Sequence, residues 1–172
     1  GKASAKNAAV KELHRYWPIP LAPKTRRWVL GHFTDGTVSR AEVTLNIRPG
    51  EFDQPGFMED SISSDVEMKD VTIRYFKHHA EVTNLTGKVH FTGKDMTGEV
   101  ANAEYLGAKL TGGRLLMKDL HAEEVWLDMD TAIAAPAKAI AQFLQYPELK
   151  HLAHLNIRPE NVEGSAEGRV KL

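Results

Sequence analysis

Pairs of histidines are the first residues of this sequence that could do chemistry. His78 and His79 are adjacent, and His151 and His154 stand three residues apart, a spacing at which two metal ligands can share one helix face. No carboxylate stands at the spacing of a known metal-binding helix, and both pairs lie beside predicted turns. The pattern favours solvent-exposed histidines, and we expect no metal site.

Two aspartates form the second candidate constellation. Asp128 and Asp130 would lie on one face of a strand, where a pair of carboxylates could perform acid–base chemistry. The apolar residues that alternate with these aspartates are predicted to face inward. They are Val125, Leu127 and Met129. The alternation therefore predicts that both carboxylates point to solvent.

Other catalytic and binding signatures are missing from the sequence. There is no cysteine, no Gly-x-Ser-x-Gly motif and no glycine-rich loop that ends in Lys-Ser or Lys-Thr. The 22 basic and 23 acidic residues nearly cancel, so no strong field attracts nucleic acid. We predict a protein that is not an enzyme, holds no cofactor and binds no nucleic acid.

Helical spacing marks the first part of the chain. Ala9, Leu13 and Tyr16 recur at helical intervals, which predicts a helix over 3–16 that the following Trp-Pro-Ile-Pro run ends. A second short helix is predicted over 22–33, with a proline in its first turn.

The period then changes to two, as in half-buried strands. Val43 and Leu45 alternate with Thr44 and Asn46, and similar runs follow up to residue 132. A slip of phase near Lys69-Asp70 predicts a β-bulge. The fold class is therefore mainly β, with a curved antiparallel β-sheet or groove and short helices near the N-terminus and around 135–155.

The organisation is that of a single-domain fragment over residues 1–172. Its parts are a helical N-terminal region, an antiparallel β meander, a helical segment and a closing strand, over 1–33, 36–132, 134–156 and 161–172 respectively. The inner positions of the closing strand are partly glycine and alanine, which leaves space beside that strand.

Soft motifs of small, aromatic and glycine positions run through most of the chain. They are Tyr16-Trp17-Pro18, Thr25 to Val29, Gly36-Thr37-Val38, Gly87 to Phe91, Ala103-Glu104-Tyr105, Leu110 to Gly113, Phe143 to Pro147 and Val162 to Ala166. In this order they resemble the AsmA-like envelope protein family, of the YhdP and TamB type.

The resemblance implies a segment of a larger, periplasm-spanning protein whose parent is anchored in the inner membrane of a Gram-negative cell envelope. Such proteins look like bridges for phospholipid traffic between inner and outer membranes, without catalytic residues. The implied partners are phospholipid or fatty acyl chains and adjacent β segments of the parent protein.

Apolar residues of the alternating strands are the candidates for lining such a lipid groove. They are Val43, Leu45, Val71, Ile73, Val89, Phe91, Val125, Leu127, Val170 and Leu172. Alternation alone also allows a closed sandwich in which these residues form an ordinary core. That alternative predicts a structural or protein-interaction domain supporting outer-membrane or envelope biogenesis. A hydrolase using Asp128 or the pair His151 and His154 is the remaining alternative.

Overall fold

The structure is a computed structural model that describes one antiparallel sheet. It covers residues 1–19, 21, 23–46, 48, 50, 61–74, 79–92, 95–118, 126–147 and 158–171, without the side chains of Lys24 and Leu127. The strands are β1 Lys2–Ala9, β2 Phe33–Leu45, β3 Ile62–Ile73, β4 Val82–Thr92, β5 Met96–Tyr105, β6 Ala108–Lys118, β7 Trp126–Pro136 and β8 Ser165–Lys171. They form an eight-stranded sheet in sequence order, so the predicted mainly β fold is confirmed.

The helix predicted over 3–16 is wrong for its first half. Residues 2–9 form β1, and helical structure begins only with a 3₁₀ turn at Val10–Glu12 and the short helix α1, Leu13–Tyr16. Alanine and lysine favour helix locally, but a helix this short is marginal without packing. Pairing of Ala3 with Val43 on β2 supplies tertiary contacts that local propensity cannot.

The other two predicted helical regions each contain a helix, and residues 148–156 of the second region lie outside the described residues. Helix α2 spans Pro23–His32, close to the predicted 22–33. Helix α3 spans Ala137–Phe143, inside the predicted segment 134–156. His151 and His154 lie outside the described residues.

A line of left-handed backbone positions crosses the sheet. The residues with positive φ on β1 to β4 and on β6 are Asn7, Gly36, Asp70, Asn84 and Gly112. The strand register shifts between Met68 and Val71 and between Thr111 and Arg114, so the bulge predicted near Lys69-Asp70 is confirmed. We call these five positions the bulge line.

Hydrogen bonds join the middle of the bulge line to the neighbouring strands. The backbone N–H of Asp70 on β3 donates to Thr86 Oγ1 on β4 at 3.2 Å. The side-chain amide of Asn102 on β5 donates to the carbonyl of Asn84 on β4 at 2.6 Å. Because bulges bend strands and increase their twist, a line of them curls the whole sheet in one direction.

The most buried side chains lie close to the bulge line. Val71 follows Asp70 and has no exposed surface, and it packs with Val38, Met68 and Leu85. All described strands belong to one sheet, so no second β layer covers the inner face within the described ranges. The closed sandwich that the sequence allowed is therefore not what these strands form.

A glycine substitution tests the bulge line. A Cβ on Gly36, whose φ is +105°, would lie 2.5 Å from Val71 Cα and 2.6 Å from the carbonyl oxygen of Asp70. We expect Gly36→Ala to lower the free energy of unfolding by roughly 3 kcal/mol, measured by chemical denaturation. Gly31→Ala is the control, since a Cβ there meets nothing within 4 Å in α2, and a helical alanine should stabilise the protein slightly.

Candidate functional site

The inner face of the curved sheet encloses an apolar trough. Its cavity of about 1700 Å³ is lined by residues from all eight strands and from the helices. Cross-strand rows of inward-facing residues form the lining. One such row is Val43, Ser64, Phe91, Met96 and Met117, each paired with the next on the neighbouring strand.

The trough runs across the strands and is long enough for a lipid chain. Eight strands at spacings of about 4.8 Å make it roughly 34 Å long. One leaflet of a bilayer supplies about half of a ~30 Å hydrocarbon core, so an acyl chain is shorter than the trough. Within the part of the chain that the structure describes, no strand covers the outer edge of β1 or β8, where the trough ends.

Helices form one rim of the trough. Helix α1 follows the end of β1, α2 precedes the start of β2, and α3 follows the end of β7. In an antiparallel meander these strand ends lie on the same side of the sheet. We call this side the helical rim.

Hydrogen bonds hold the aromatic residues of the helical rim near α1 and α2. The indole N–H of Trp17 donates to the carbonyl of Leu21 at 2.7 Å, and Arg26 Nε donates to the carbonyl of Trp17 at 3.0 Å. Trp28 of α2 lies against Phe33 at the start of β2, with ring centroids 5.8 Å apart. These contacts place aromatic surface along the mouth of the trough.

A second aromatic group joins α3 to the sheet. The ring of Tyr146 stacks on His79 with a centroid distance of 3.8 Å, and its hydroxyl accepts from the backbone N–H of Ala80 at 3.0 Å. Phe143 meets Tyr105 edge to face at 6.1 Å. Phe143 is still 43% exposed and lines the trough, so this rim offers uncovered apolar surface.

The structure brings together most of the predicted lining residues that it describes. Val43, Leu45, Ile73, Val89, Phe91 and Val170 all line the trough. Val71 does not line it, because that side chain is wholly enclosed beneath the surface of the inner face. Leu127 lies on β7 opposite Met117 with its side chain undescribed, and Val125 and Leu172 lie outside the described residues. Contact of these residues with lipid stays a prediction.

Several lining residues are not among those predicted from the sequence. Leu115, Ile133 and Leu106 line the trough, as do Ile140 and Phe143 of α3. The alternation around Leu115 and Ile133 was a usable signal for an inner face. Nothing local indicated that α3 would lie at the same rim as the N-terminal helices, because that depends on sheet topology.

The two aspartates and the histidine that could have done chemistry lie on different parts of the sheet. Asp128 and Asp130 are on the outer face of β7, as predicted, and His79 is on the helical rim. No three His, Cys, Asp or Glu residues cluster for a metal ion anywhere in the described ranges. Nor does any helix in those ranges have the length and apolar character needed to cross a membrane.

Ion pairs on the outer face join the last two strands. The Arg169 guanidinium on β8 donates a hydrogen bond to the Asp130 carboxylate on β7, and Lys171 Nζ lies 4.0 Å from the same carboxylate. This hydrogen bond is the main cause that lowers the pKa of Asp130 below its ordinary value. The Asp130 carboxylate is therefore ionised at neutral pH when β8 is paired with β7.

A single curved sheet whose apolar inner face has no second β layer over it in the described ranges defines a class of groove-forming β proteins. A family model described as YhdP protein matches residues 2–172, so the chain belongs to the YhdP family, a family of cell-envelope proteins. Comparisons with curated proteins and with solved structures gave no match.

Leu106 offers a test of local strain at the helical rim. It lies in the turn between β5 and β6 with φ at 54°, followed by Gly107 at 83°, and its side chain lines the trough. A left-handed conformation costs a branched residue more than asparagine. We expect Leu106→Asn to raise the free energy of unfolding by about 1 kcal/mol in urea denaturation. Leu106→Ala, which stays in the strained region, should show no such gain.

The β7–β8 ion pairs predict acid sensitivity of the last strand. Because the folded-state pKa of Asp130 is lowered, its stabilisation is complete above the unfolded-chain value and is lost as pH falls through the folded value. Amide protection of β8, measured by hydrogen exchange relative to β5, should decline below about pH 4. Asp130→Asn should show reduced protection already at pH 7. Asp128→Asn, two residues away on the same face, should behave like the unaltered chain.

Proposed function

We propose that the trough carries phospholipid acyl chains as a non-enzymatic segment of a conduit between the inner and outer membranes. The observation that carries the proposal is a continuous apolar inner face, about as long as the sheet is wide and uncovered by a second layer in the described residues. Membership of an envelope protein family supports the setting.

The hydrophobic effect supplies the driving force. An acyl chain with about fifteen methylenes that leaves a bilayer for water loses roughly 12 kcal/mol, at about 0.8 kcal/mol per CH₂. The rows of valine, leucine, methionine and phenylalanine replace most of the lost apolar contact. The head group stays in solvent above the open side, where desolvation of its charge is avoided.

Repetition of similar rows suits movement along the trough. Val43 and Phe91 lie in one row and Ala41 and Val89 in the next, and pairs of this kind recur across the strands. Apolar contact is non-directional, so a chain that slides from strand to strand exchanges one set of contacts for a similar one. A conduit needs such shallow differences in binding free energy between neighbouring positions.

The dimensions place a limit on what this chain does by itself. A trough of roughly 34 Å barely exceeds the ~30 Å hydrocarbon core of one bilayer, so a path between two membranes needs further strands in series. The outer edges of β1 and β8 are available for such pairing. Adjacent β segments of the parent protein are the proposed partners at these edges, in the periplasm.

Neighbouring residues of β2 test the trough with a matched pair. Val43 is half-buried and lines the trough, whereas Thr44 points to the outer face, so Val43→Asp places a charge inside and Thr44→Asp places it outside. We expect Val43→Asp to reduce binding of a fluorescent fatty acid at least about tenfold, because a charge in an apolar site costs more than 1.4 kcal/mol. Thr44→Asp should bind as the unaltered chain does, and circular dichroism should show that both variants are folded.

Measurements of bound lipid distinguish a lipid conduit from a scaffold for envelope biogenesis. Purified chain examined by native mass spectrometry should carry phospholipid, and the delipidated chain should take up fatty acid. A folded, monodisperse chain that never takes up lipid would leave only the scaffold function. Equal loss of binding in both variants would place the lipid somewhere other than the trough.

A further inference from the structure

Charged residues of opposite sign face one another across the outer side of the sheet. On β2, Arg40 is paired in register with Glu67 of β3, and Glu67 is paired with Lys88 of β4. The ammonium of Lys88 lies 3.2 Å from the Glu67 carboxylate. Opposite charges at such cross-strand positions stabilise a sheet, and like charges destabilise it.

The alternation continues to the last strand. Lys88 is paired with Glu99 on β5, and Glu99 with Arg114 on β6. Arg114 is in turn paired with Asp130 on β7, and Asp130 with Lys171 on β8. We call this row, from Arg40 to Lys171, the charge ladder. Its signs alternate on every strand from β2 to β8, which ties the register of each strand to that of the next.

Both edges of the sheet carry a cation at the level of the charge ladder. On β8, Arg169 and Lys171 share the single carboxylate of Asp130, which leaves an excess positive charge at this edge. On β1, Lys6 is in register with Arg40, whose guanidinium pairs instead with Glu42 at 2.6 Å. Lys6 has no ion-pair partner among the described residues.

At the level of the charge ladder, β1 of a second copy could lie beside β8 over Lys6–Ala9 and Gly168–Lys171, but the charges oppose this contact. In a meander of eight strands, β1 and β8 run in opposite directions, so β1 of one copy could pair antiparallel with β8 of another. An arrangement that continued the trough would place Lys6 level with Lys171. Like charges at paired positions disfavour this assembly, as charged residues on natural edge strands commonly do.

We propose that the β8 edge binds an antiparallel strand that carries an aspartate or glutamate level with Lys171. Such a strand continues both the trough on the inner side and the charge ladder on the outer side. The requirement for an acidic residue distinguishes this partner from the β1 edge of another copy. The proposal rests on register and charge alone, so it stands whether or not the trough binds lipid.

A charge reversal on β1 gives the β1 edge the acidic residue that the proposed partner strand must carry. Lys6→Glu places a carboxylate where it can face Lys171 of a second copy, and inside its own sheet it gains Arg40 as an opposite charge. Lys2→Glu is the matched control, because it makes the same charge change on the same strand, about 13 Å away. Lys6→Glu combined with Lys171→Glu restores like charges at the contact.

The measurement is sedimentation velocity over a concentration series in low salt and in 1 M NaCl. In low salt, Lys6→Glu should associate between about threefold and thirtyfold more strongly than the unaltered chain. Lys2→Glu and the double variant should remain as monomeric as the unaltered chain. The difference should disappear in 1 M salt, where the Debye length is about 3 Å. Hydrogen exchange should show new protection of the β8 amides in Lys6→Glu alone.

Three results would overturn the proposal. The first is association of the unaltered chain through β8 as strong as that of Lys6→Glu. The second is equal association of Lys6→Glu and Lys2→Glu, since net charge and not the ladder position would then be responsible. The third is association of the double variant as strong as that of Lys6→Glu, since the edge would then pair without regard to charge.

Discussion

The bulge line is the constraint on which the rest of the structure depends. Without it, long antiparallel strands with one apolar face would form a gently twisted sheet that needs a second layer to cover it. Left-handed positions at Asn7, Gly36, Asp70, Asn84 and Gly112 bend β1 to β4 and β6. Bends on these five strands curl the sheet, so that it partly shelters its own apolar face.

The curled sheet covers its apolar inner face only in part, so some apolar side chains stay accessible on that face. Side chains next to the bulge line, such as Val71 and Leu85, are buried and pack in the hydrophobic core. Those further out, such as Val43 and Phe91, remain half-exposed. On β2, β3 and β4 burial therefore decreases from the bulge line toward the row of Val43 and Phe91, whereas Met96 on β5 and Met117 on β6 are buried within that row. A substitution close to the bend should affect folding first, and one near the rims should affect binding first.

Polar interactions act on the opposite side of the same strands. The charge ladder contributes little free energy per pair, because surface ion pairs are exposed to water and salt. Its value lies in register, since a slip of one residue would place Val66 or Met68 instead of Glu67 opposite Arg40 and would turn apolar side chains outward. A trough built from many strands needs this control, because an error of register at one strand interrupts the apolar path for all that follow.

The sequence by itself determined the strands with clear alternation, the helices α2 and α3, the bulge at Asp70 and the outward direction of Asp128 and Asp130. These features depend on neighbours within a few residues, where side-chain period and turn chemistry act directly. Only the tertiary structure decided that residues 2–9 form a strand, because pairing with β2 outweighs the helix propensity of alanine and lysine. It also decided that Val71 is enclosed while Val43 is accessible, and that the described strands form one sheet with no second β layer among them. Curvature and covering layers arise from contacts between distant strands, which alternation along one strand does not encode.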